Sequence, residues 1–252
     1  MKLQDLKKWF DWAGLDLSIM PRGIPLRRDT TRPQFFAMDI SRKGHHHDEF
    51  FRICPGDENV DAHVIDVDSK RHQVVMFVQE PPRPFTETVW NQRKGRYVKF
   101  TRWSPGFVRT MLVGKDQTHL FIAELPRGRR PPNTVEEAHR ALKPPVVIAR
   151  STRTSRIKRQ GEWFFVPATP KEEEVIELDK SRIVRYGAIG RRAGPHAHKA
   201  EEYLETERGV FVRGSIRHPD HHPLELNGWF RVVGNTEIRS SWAGSGGIKW
   251  VD

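Results

Sequence analysis

Short apolar-rich runs recur along the first third of the chain, and they constrain its fold more than any other feature. Four of them lie at residues 34–40, 49–53, 62–68 and 73–80, separated by charged, Gly or Pro residues. Runs of this length predict β-strands, because helices of a globular domain need longer segments with a period near 3.6 residues. The short separation between the last two runs, at residues 69–72, predicts a β-hairpin.

Two segments predict helices instead. Residues 2–13 place apolar side chains at helical spacing and are followed by Gly14. Residues 134–143 begin with Thr134 and Glu137 at capping-box spacing and are ended by two prolines at 144–145. With further strand-like runs at 96–103, 107–113 and 119–125, these helices predict a mixed α/β N-terminal domain.

The second part of the chain is again rich in strand-like runs. They lie at residues 163–167, 175–178, 209–218, 224–233 and 246–251. Before them, residues 150–159 contain five basic residues and no acidic one. We therefore predict an α+β protein with a mixed α/β domain over residues 1–148, a basic linker over 149–159, and a mostly β domain over 160–252. The last would be a small barrel or sandwich.

Composition narrows the class of partner and the cellular compartment. Lys and Arg number 43 against 32 Asp and Glu, which gives a net charge of +11. Such an excess favours a polyanionic partner such as RNA or DNA. Cys54 is the only cysteine, so an intrachain disulfide and a Cys-based zinc site are excluded, and a reducing cytoplasm is expected. No apolar run reaches the roughly 18–20 residues that span a bilayer, so no membrane partner is expected.

Two segments combine the chemistry of nucleic-acid binding. Residues 90–103 interleave aromatic with basic side chains, which can stack on bases and hold phosphates. The basic linker offers cations alone. The candidate residues are Arg93, Lys94, Arg96, Tyr97, Lys99 and Arg102 in the first segment and Arg150, Arg153, Arg156, Lys158 and Arg159 in the second. The alternatives are an amphipathic strand with core aromatics, and a solvated linker.

Histidines cluster twice near the C-terminus. His196 and His198 lie two residues apart, so on a strand they share one face, and Glu202 follows four residues later. His218 and His221 form the second cluster. Neighbouring β-segments could bring these residues together as ligands of Zn²⁺, Fe²⁺ or Mn²⁺. The alternative is a set of solvated turn histidines. No phosphate-binding glycine loop is present, so no nucleotide cofactor is expected.

The first histidine cluster resembles a metal motif of the cupin superfamily. The residues that match its spacing are Gly190, His196, His198, Glu202 and Gly209. The resemblance implies a small β-barrel in which His196, His198 and Glu202 bind the metal ion. In the second cupin motif, Gly228 and Asn235 match, but Arg231 stands at the position of the metal-binding histidine. His218 or His221 would have to replace that ligand.

A second resemblance covers residues 159–237. Uncharacterised bacterial and phage proteins share an Arg-Gln-Gly-Asp/Glu strand, a Gly-His-x-His turn and a His-Pro-x-His segment. Here the corresponding residues are 159–162, 194–198 and 218–221, with Pro195 inserted between the Gly and the His of the turn. The similarity implies a shared fold and a shared histidine site, and it brings no activity with it.

Three functional hypotheses follow from these observations. The leading one is a nucleic-acid-binding protein, for RNA or DNA, with a histidine-based metal site in its C-terminal β domain. The second is a cupin-like metalloenzyme that acts on a small molecule. The third is a non-enzymatic assembly or accessory protein with structural histidines. The sequence leaves open whether the chain is an enzyme and what its oligomeric state is.

Overall fold

The structure, a computed structural model, describes residues 3–22, 36–43, 48–56, 58–128, 130–190 and 197–237. These residues divide into two compact units, of which the first contains the residues up to Ala141 together with Glu237 and the second runs from Leu142 to Thr236. Strands dominate both units and four α-helices accompany them, so the predicted α+β class is confirmed. None of the described helices is long and apolar enough to cross a membrane.

The first unit contains three separate sheets. One has the strand order β1-β3-β2, the second β4-β5-β8-β9, and the third consists of β6 and β7 alone. The elements are α1 (Leu3–Trp12), β1 (Leu17–Ile19), β2 (Phe36–Lys43), β3 (Asp48–Pro55), β4 (Asp61–Asp68), β5 (Gln73–Glu80), β6 (Arg83–Asn91), β7 (Arg96–Ser104), β8 (Phe107–Asp116), β9 (His119–Glu124) and α2 (Val135–Ala141).

The N-terminal helix supplies part of the core of this unit, as its apolar spacing predicts. Leu6 and Phe10 are fully buried, and the Phe10 ring meets the edge of Phe51 on β3 with centroids 5.6 Å apart. The predicted hairpin is confirmed, because β4 and β5 pair antiparallel from Asp68–Gln73 outward. The turn residues between them are those that the sequence indicates.

The second predicted helix is also confirmed, as α2, although it is shorter than predicted. The Thr134 hydroxyl accepts a hydrogen bond from the Glu137 amide at 3.1 Å. The Glu137 carboxylate accepts from the Asn133 amide at 2.8 Å, one residue earlier than in a regular capping box. Both ends of the helix therefore follow local sequence signals.

Strands β6 and β7 form a two-stranded antiparallel ribbon, residues 83–104, that pairs with no other described strand. The sequence predicts β7 but not β6, because prolines 81, 82 and 84 are typical of a break. Pro84 is tolerated because its strand lies at an edge. The four-residue turn at 92–95 has Gly95 at φ +57°, a conformation that other residues rarely adopt.

The second unit is built on one antiparallel sheet with the strand order β10-β11-β15-β14-β13-β12. Its elements are α3 (Pro145–Ser151), β10 (Lys158–Gln160), β11 (Trp163–Pro167), α4 (Pro170–Leu178), a 3₁₀ turn (Lys180–Arg182), β12 (Val184–Ala188), β13 (Lys199–Thr206), β14 (Gly209–His218) and β15 (His221–Gly234). The largest apolar cluster among the described residues of this unit includes side chains of β11, β14 and β15. It contains Phe165, Val212, Ile216 and Phe230.

Two irregularities in the pairing of β14 with β15 mark the sheet of the second unit. Pairing register shifts occur in β14 between Val212 and Gly214 and between Ile216 and His218, and Gly214 has φ +82°. Such bulges increase local twist and bend a strand. β10 and β12 remain edges of the described sheet, so the described strands form no closed barrel.

One prediction for this unit differs from the structure. The run at 175–178, predicted as a strand, is the end of helix α4, because Thr169 and Glu172 form a full capping box and Pro170 occupies the first turn. The compact unit includes α3, since Val147 of that helix packs on Phe164 and Val166 of β11, and the predicted domain bounds stay a prediction. The predicted strand at 246–251 lies outside the described residues.

Candidate metal centre and nucleic-acid interface

Three histidines meet in the sheet of the second unit, where strands β13 and β15 begin and strand β14 ends. His218 ends β14 and His221 begins β15, and the two are paired across a two-residue turn of Pro219 and Asp220. His198 immediately precedes β13, whose first residue, Lys199, is paired with Arg217. The β13–β14 register therefore places His198 opposite His218. We call His198, His218 and His221 the histidine triad.

The triad is compact enough for one ion. One nitrogen from each ring can be chosen so that all three lie within 4.8 Å of one another. Ring centroids are 4.2 Å apart for His198–His218, 5.0 Å for His218–His221 and 5.6 Å for His198–His221. His198 and His218 are buried, and His221 is half-buried. The site is thus shielded but reachable from one side.

His198 is the clearest ligand candidate of the three. It is only 2% exposed, and its Nε2 atom is buried with no hydrogen-bond partner among the described residues. Burial, and to a smaller extent the neighbouring His218 and His221, together lower the pKa of His198 to about 3. The ring is therefore neutral at physiological pH, which is the protonation state that metal ligation requires.

His218 has one nitrogen already engaged. Its Nδ1 atom accepts a hydrogen bond from the Asp220 amide at 3.1 Å. A neutral imidazole that accepts at Nδ1 carries its proton on Nε2. Nε2 can therefore bind a metal ion only after it loses that proton. If the proton moves to Nδ1, this atom can no longer accept the hydrogen bond from the Asp220 amide, and that contact has to change.

The turn between β10 and β11 approaches the triad through a glycine. Gly161 has φ +55°, and a Cβ atom built there would lie 3.1 Å from His221 Nε2 and 3.4 Å from His198 Nε2. The neighbouring Gln160 side chain donates a hydrogen bond to the His222 carbonyl at 2.7 Å, which fixes the turn against the start of β15. Glycine lets this turn come close to both nitrogens.

The predicted ligand set is only partly reproduced. His198, His218 and His221 converge, whereas His196 lies outside the described residues. Glu202 is not part of the cluster, because it forms an ion pair with Arg213, its cross-strand partner on β14. The Arg213 guanidinium keeps the pKa of Glu202 below its usual value, so the carboxylate is committed to that pair. Glu202 as a metal ligand therefore stays a prediction, which this ion pair does not favour.

The cupin position occupied by Arg231 is also accounted for. Arg231 lies on β15, and its Nη1 atom donates to the Glu172 carboxylate of α4 at 3.3 Å. That pair is distinct from the three residues that form the triad. The arginine thus ties a helix to the sheet.

The ribbon presents most of its candidate nucleic-acid-binding residues to solvent. Tyr97 is 68% exposed, and the exposed basic residues are Arg93, Lys94, Arg96, Lys99 and Arg102. The interpretation of its aromatic residues as core side chains is wrong for Trp90, Phe100 and Trp103, which are 45–66% exposed. The exposure agrees with the other interpretation of this segment, a surface strand, and β6 is the only described strand that pairs with β7.

The basic segment at 150–159 belongs to folded structure in the second unit. Arg150 lies in α3 and Lys158 and Arg159 in β10. Lys158 Nζ donates to the Glu225 carbonyl at 2.6 Å, and Arg159 Nε donates to the Gly161 carbonyl at 2.8 Å. Arg153 and Arg156 are exposed between these elements. Part of the predicted cationic linker therefore has structural partners.

Comparisons with protein-family models, with curated proteins and with solved structures find no match for this chain.

Proposed function

We propose that the chain binds a divalent transition-metal ion, with Zn²⁺ the best fit, through His198, His218 and His221. The observation that carries this proposal is that one nitrogen of each of the three imidazoles lies within 4.8 Å of the others. In addition, His198 Nε2 is buried with no hydrogen-bond partner among the described residues. A buried polar atom without a hydrogen bond is costly, and a metal bond would compensate that cost. An imidazole-only donor set suits Zn²⁺ and Fe²⁺ better than Mn²⁺.

Loading the site has a geometric consequence. In a tetrahedral zinc site with Zn–N bonds of about 2.0–2.1 Å, ligand nitrogens lie roughly 3.3 Å apart. The triad nitrogens lie within 4.8 Å of one another, so small adjustments of the side chains and of their turn can bring them to this spacing. We expect the 218–221 turn to adjust and the Asp220 amide to leave His218 Nδ1. The Asp220 amide resonance should therefore shift on zinc addition.

Three protein ligands leave one position of a tetrahedral ion available. A zinc ion held in this way can polarise a carbonyl group or activate water, so the site has the composition of a catalytic rather than a closed structural centre. The cupin-like alternative would use Glu202 as a ligand, but the Glu202 carboxylate is already paired with Arg213. This alternative is therefore less well supported than a site made of the histidine triad alone. The triad alone does not select a substrate.

The experiment is metal analysis and titration of protein purified without a polyhistidine tag. We expect one Zn²⁺ per chain, removed by a chelator and restored on addition. Binding of less than about a tenth of an equivalent would contradict the proposal, because protein zinc sites hold the metal tightly.

Nucleic-acid binding by the ribbon is the second candidate function. The specific observation is a two-stranded ribbon, unpaired with other described strands, that carries six basic residues and one acidic residue over residues 83–104. A cationic arm of this kind can follow a phosphate backbone, which gives affinity without sequence information.

A salt series tests this second function. The logarithm of the affinity for labelled RNA or DNA should fall linearly with the logarithm of salt concentration, with a slope of roughly −0.7 to −0.9 per phosphate contacted. Replacing Lys94 by alanine should reduce the slope by about one contact. Affinity that does not change with salt would rule out this mode of binding.

A further inference from the structure

Cross-strand register sorts the side chains of the ribbon into two different faces. Residues directly opposite each other on paired strands share a face, and the face alternates along each strand. Trp90 is opposite Tyr97, Thr88 is opposite Lys99, and Pro84 is opposite Trp103. We call Trp90, Tyr97, Lys99 and Trp103 the aromatic face. The other face carries Val89, Val98, Phe100 and Arg102.

The aromatic face exposes large rings to solvent. Trp90 is 50% exposed, Tyr97 68% and Trp103 66%. The rings of Trp90 and Tyr97 are in edge contact, with centroids 5.1 Å apart and an interplanar angle of 69°. Exposed aromatic rings of this size on a strand pair are typical of a binding surface, because their burial against a partner removes much apolar area from water.

Charge and spacing indicate the kind of partner. Lys99 lies between Tyr97 and Trp103 on the same face, and Arg93, Lys94 and Arg96 surround the tip beside the Trp90–Tyr97 pair. Trp103 follows Tyr97 by six positions on β7. At about 3.4 Å per residue, the two backbone positions are roughly 20 Å apart. A ligand that contacts both ends must therefore be elongated and anionic, and must offer flat apolar groups at intervals.

We infer that the aromatic face is a stacking platform for single-stranded nucleic acid, in which unpaired bases lie on Trp90, Tyr97 and Trp103 and phosphates contact the intervening and flanking cations. This inference rests on the proposed nucleic-acid binding by the ribbon and names its substrate class. Bases in a duplex are stacked on one another and present only their edges, so they cannot occupy such rings. Single strands present the base faces.

The test compares a short labelled oligonucleotide of about 12 nucleotides, as DNA and as RNA, with a duplex of the same length, since one binding module covers about 4–16 nucleotides. Fluorescence anisotropy gives the affinities, and quenching of tryptophan emission reports stacking directly. The variant is Trp90→Ala/Trp103→Ala. The matched control is Phe100→Ala, which removes an exposed aromatic side chain from the opposite face.

We expect the wild-type chain to prefer single strands and the double variant to bind them at least about 25-fold more weakly, while Phe100→Ala changes binding by less than about threefold. Circular dichroism should show both variants to be folded, because the replaced side chains are exposed.

Each contrary result overturns a distinct claim. Equal affinity for duplex and single strand, unaffected by Trp90→Ala/Trp103→Ala but weakened in Lys94→Ala, would overturn the stacking platform and leave binding by charge standing. Absence of salt-dependent binding to any nucleic acid would overturn both. A wild-type dimer that dissociates in the double variant, with no nucleic-acid binding, would assign the aromatic face to a second copy of this chain.

Discussion

Replacing His198 by alanine is expected to weaken zinc binding by more than about 100-fold, since even indirect partners of metal ligands contribute about 10–100-fold to affinity. His198 is the most buried member of the triad, and its Nε2 atom has no other described partner. Two remaining imidazoles cannot complete a zinc site of the usual composition. Titration against a competing chelator measures the change.

The matched control for this variant is His222→Ala. His222 is exposed, follows a triad member directly, and does not belong to the group of converging nitrogens. Gln160 is hydrogen-bonded to its backbone carbonyl, which alanine retains. Zinc affinity should therefore stay within about threefold of wild type.

A His198→Asn variant, measured with its thermal stability in chelator, separates ligand loss from a cavity effect, because asparagine fills part of the space. Equal zinc affinity of His198→Ala and wild type would contradict the assignment.

The second large effect is predicted for the stability of the first unit. Glu80 ends β5 and is almost completely buried. Its carboxylate accepts a hydrogen bond from the Phe36 amide at 2.9 Å and contacts the guanidinium groups of Arg83 at 3.4 Å and Arg109 at 3.5 Å. Removing one member of a buried ion pair leaves an uncompensated charge, so Glu80→Ala should lower the free energy of unfolding by about 3–5 kcal/mol.

Conditions and controls make this prediction specific. Burial raises the pKa of Glu80 to about 7, although the Phe36 amide and Arg109 act in the opposite direction. The measurement is therefore made by denaturant unfolding near pH 8, where the carboxylate is mostly ionised. The control is Glu136→Ala, because Glu136 and Arg140 form an exposed helix pair whose loss should cost less than about 0.5 kcal/mol. If the two variants lose the same free energy of unfolding, the buried cluster around Glu80 contributes no more to stability than an exposed ion pair, and the prediction is contradicted.

Local signals predict much of the fold from sequence. The amphipathic pattern of residues 2–13, the 62–80 hairpin and the Thr134 cap all depend on neighbours within a few positions, and all three are confirmed. The errors have a similar local origin. A four-residue segment at 175–178 with three apolar residues fits a strand or a helix, and only the capping box at Thr169 and Glu172 decides in favour of the helix.

The histidine site is predictable only in part, because its composition depends on register. His218 and His221 are close in sequence and share a hairpin turn, so their proximity follows from the turn. Whether Glu202 or a histidine of the next strand joins His198 depends on the β13–β14 pairing and on its bulge, which sequence periodicity does not give. That pairing directs Glu202 to Arg213. The approach of Gly161 is a tertiary contact with no local signal except the glycine itself.

Zinc K-edge X-ray absorption of the complex with one Zn²⁺ per chain identifies the ligands of the ion themselves. We expect three imidazole nitrogens at about 2.0–2.1 Å, with the outer-shell scattering that imidazole rings produce, and one further light-atom ligand. In His198→Ala the imidazole contribution should decrease or the ion should be lost. A spectrum of wild-type protein without imidazole scattering, or one unchanged by His198→Ala, would contradict a metal site at His198, His218 and His221.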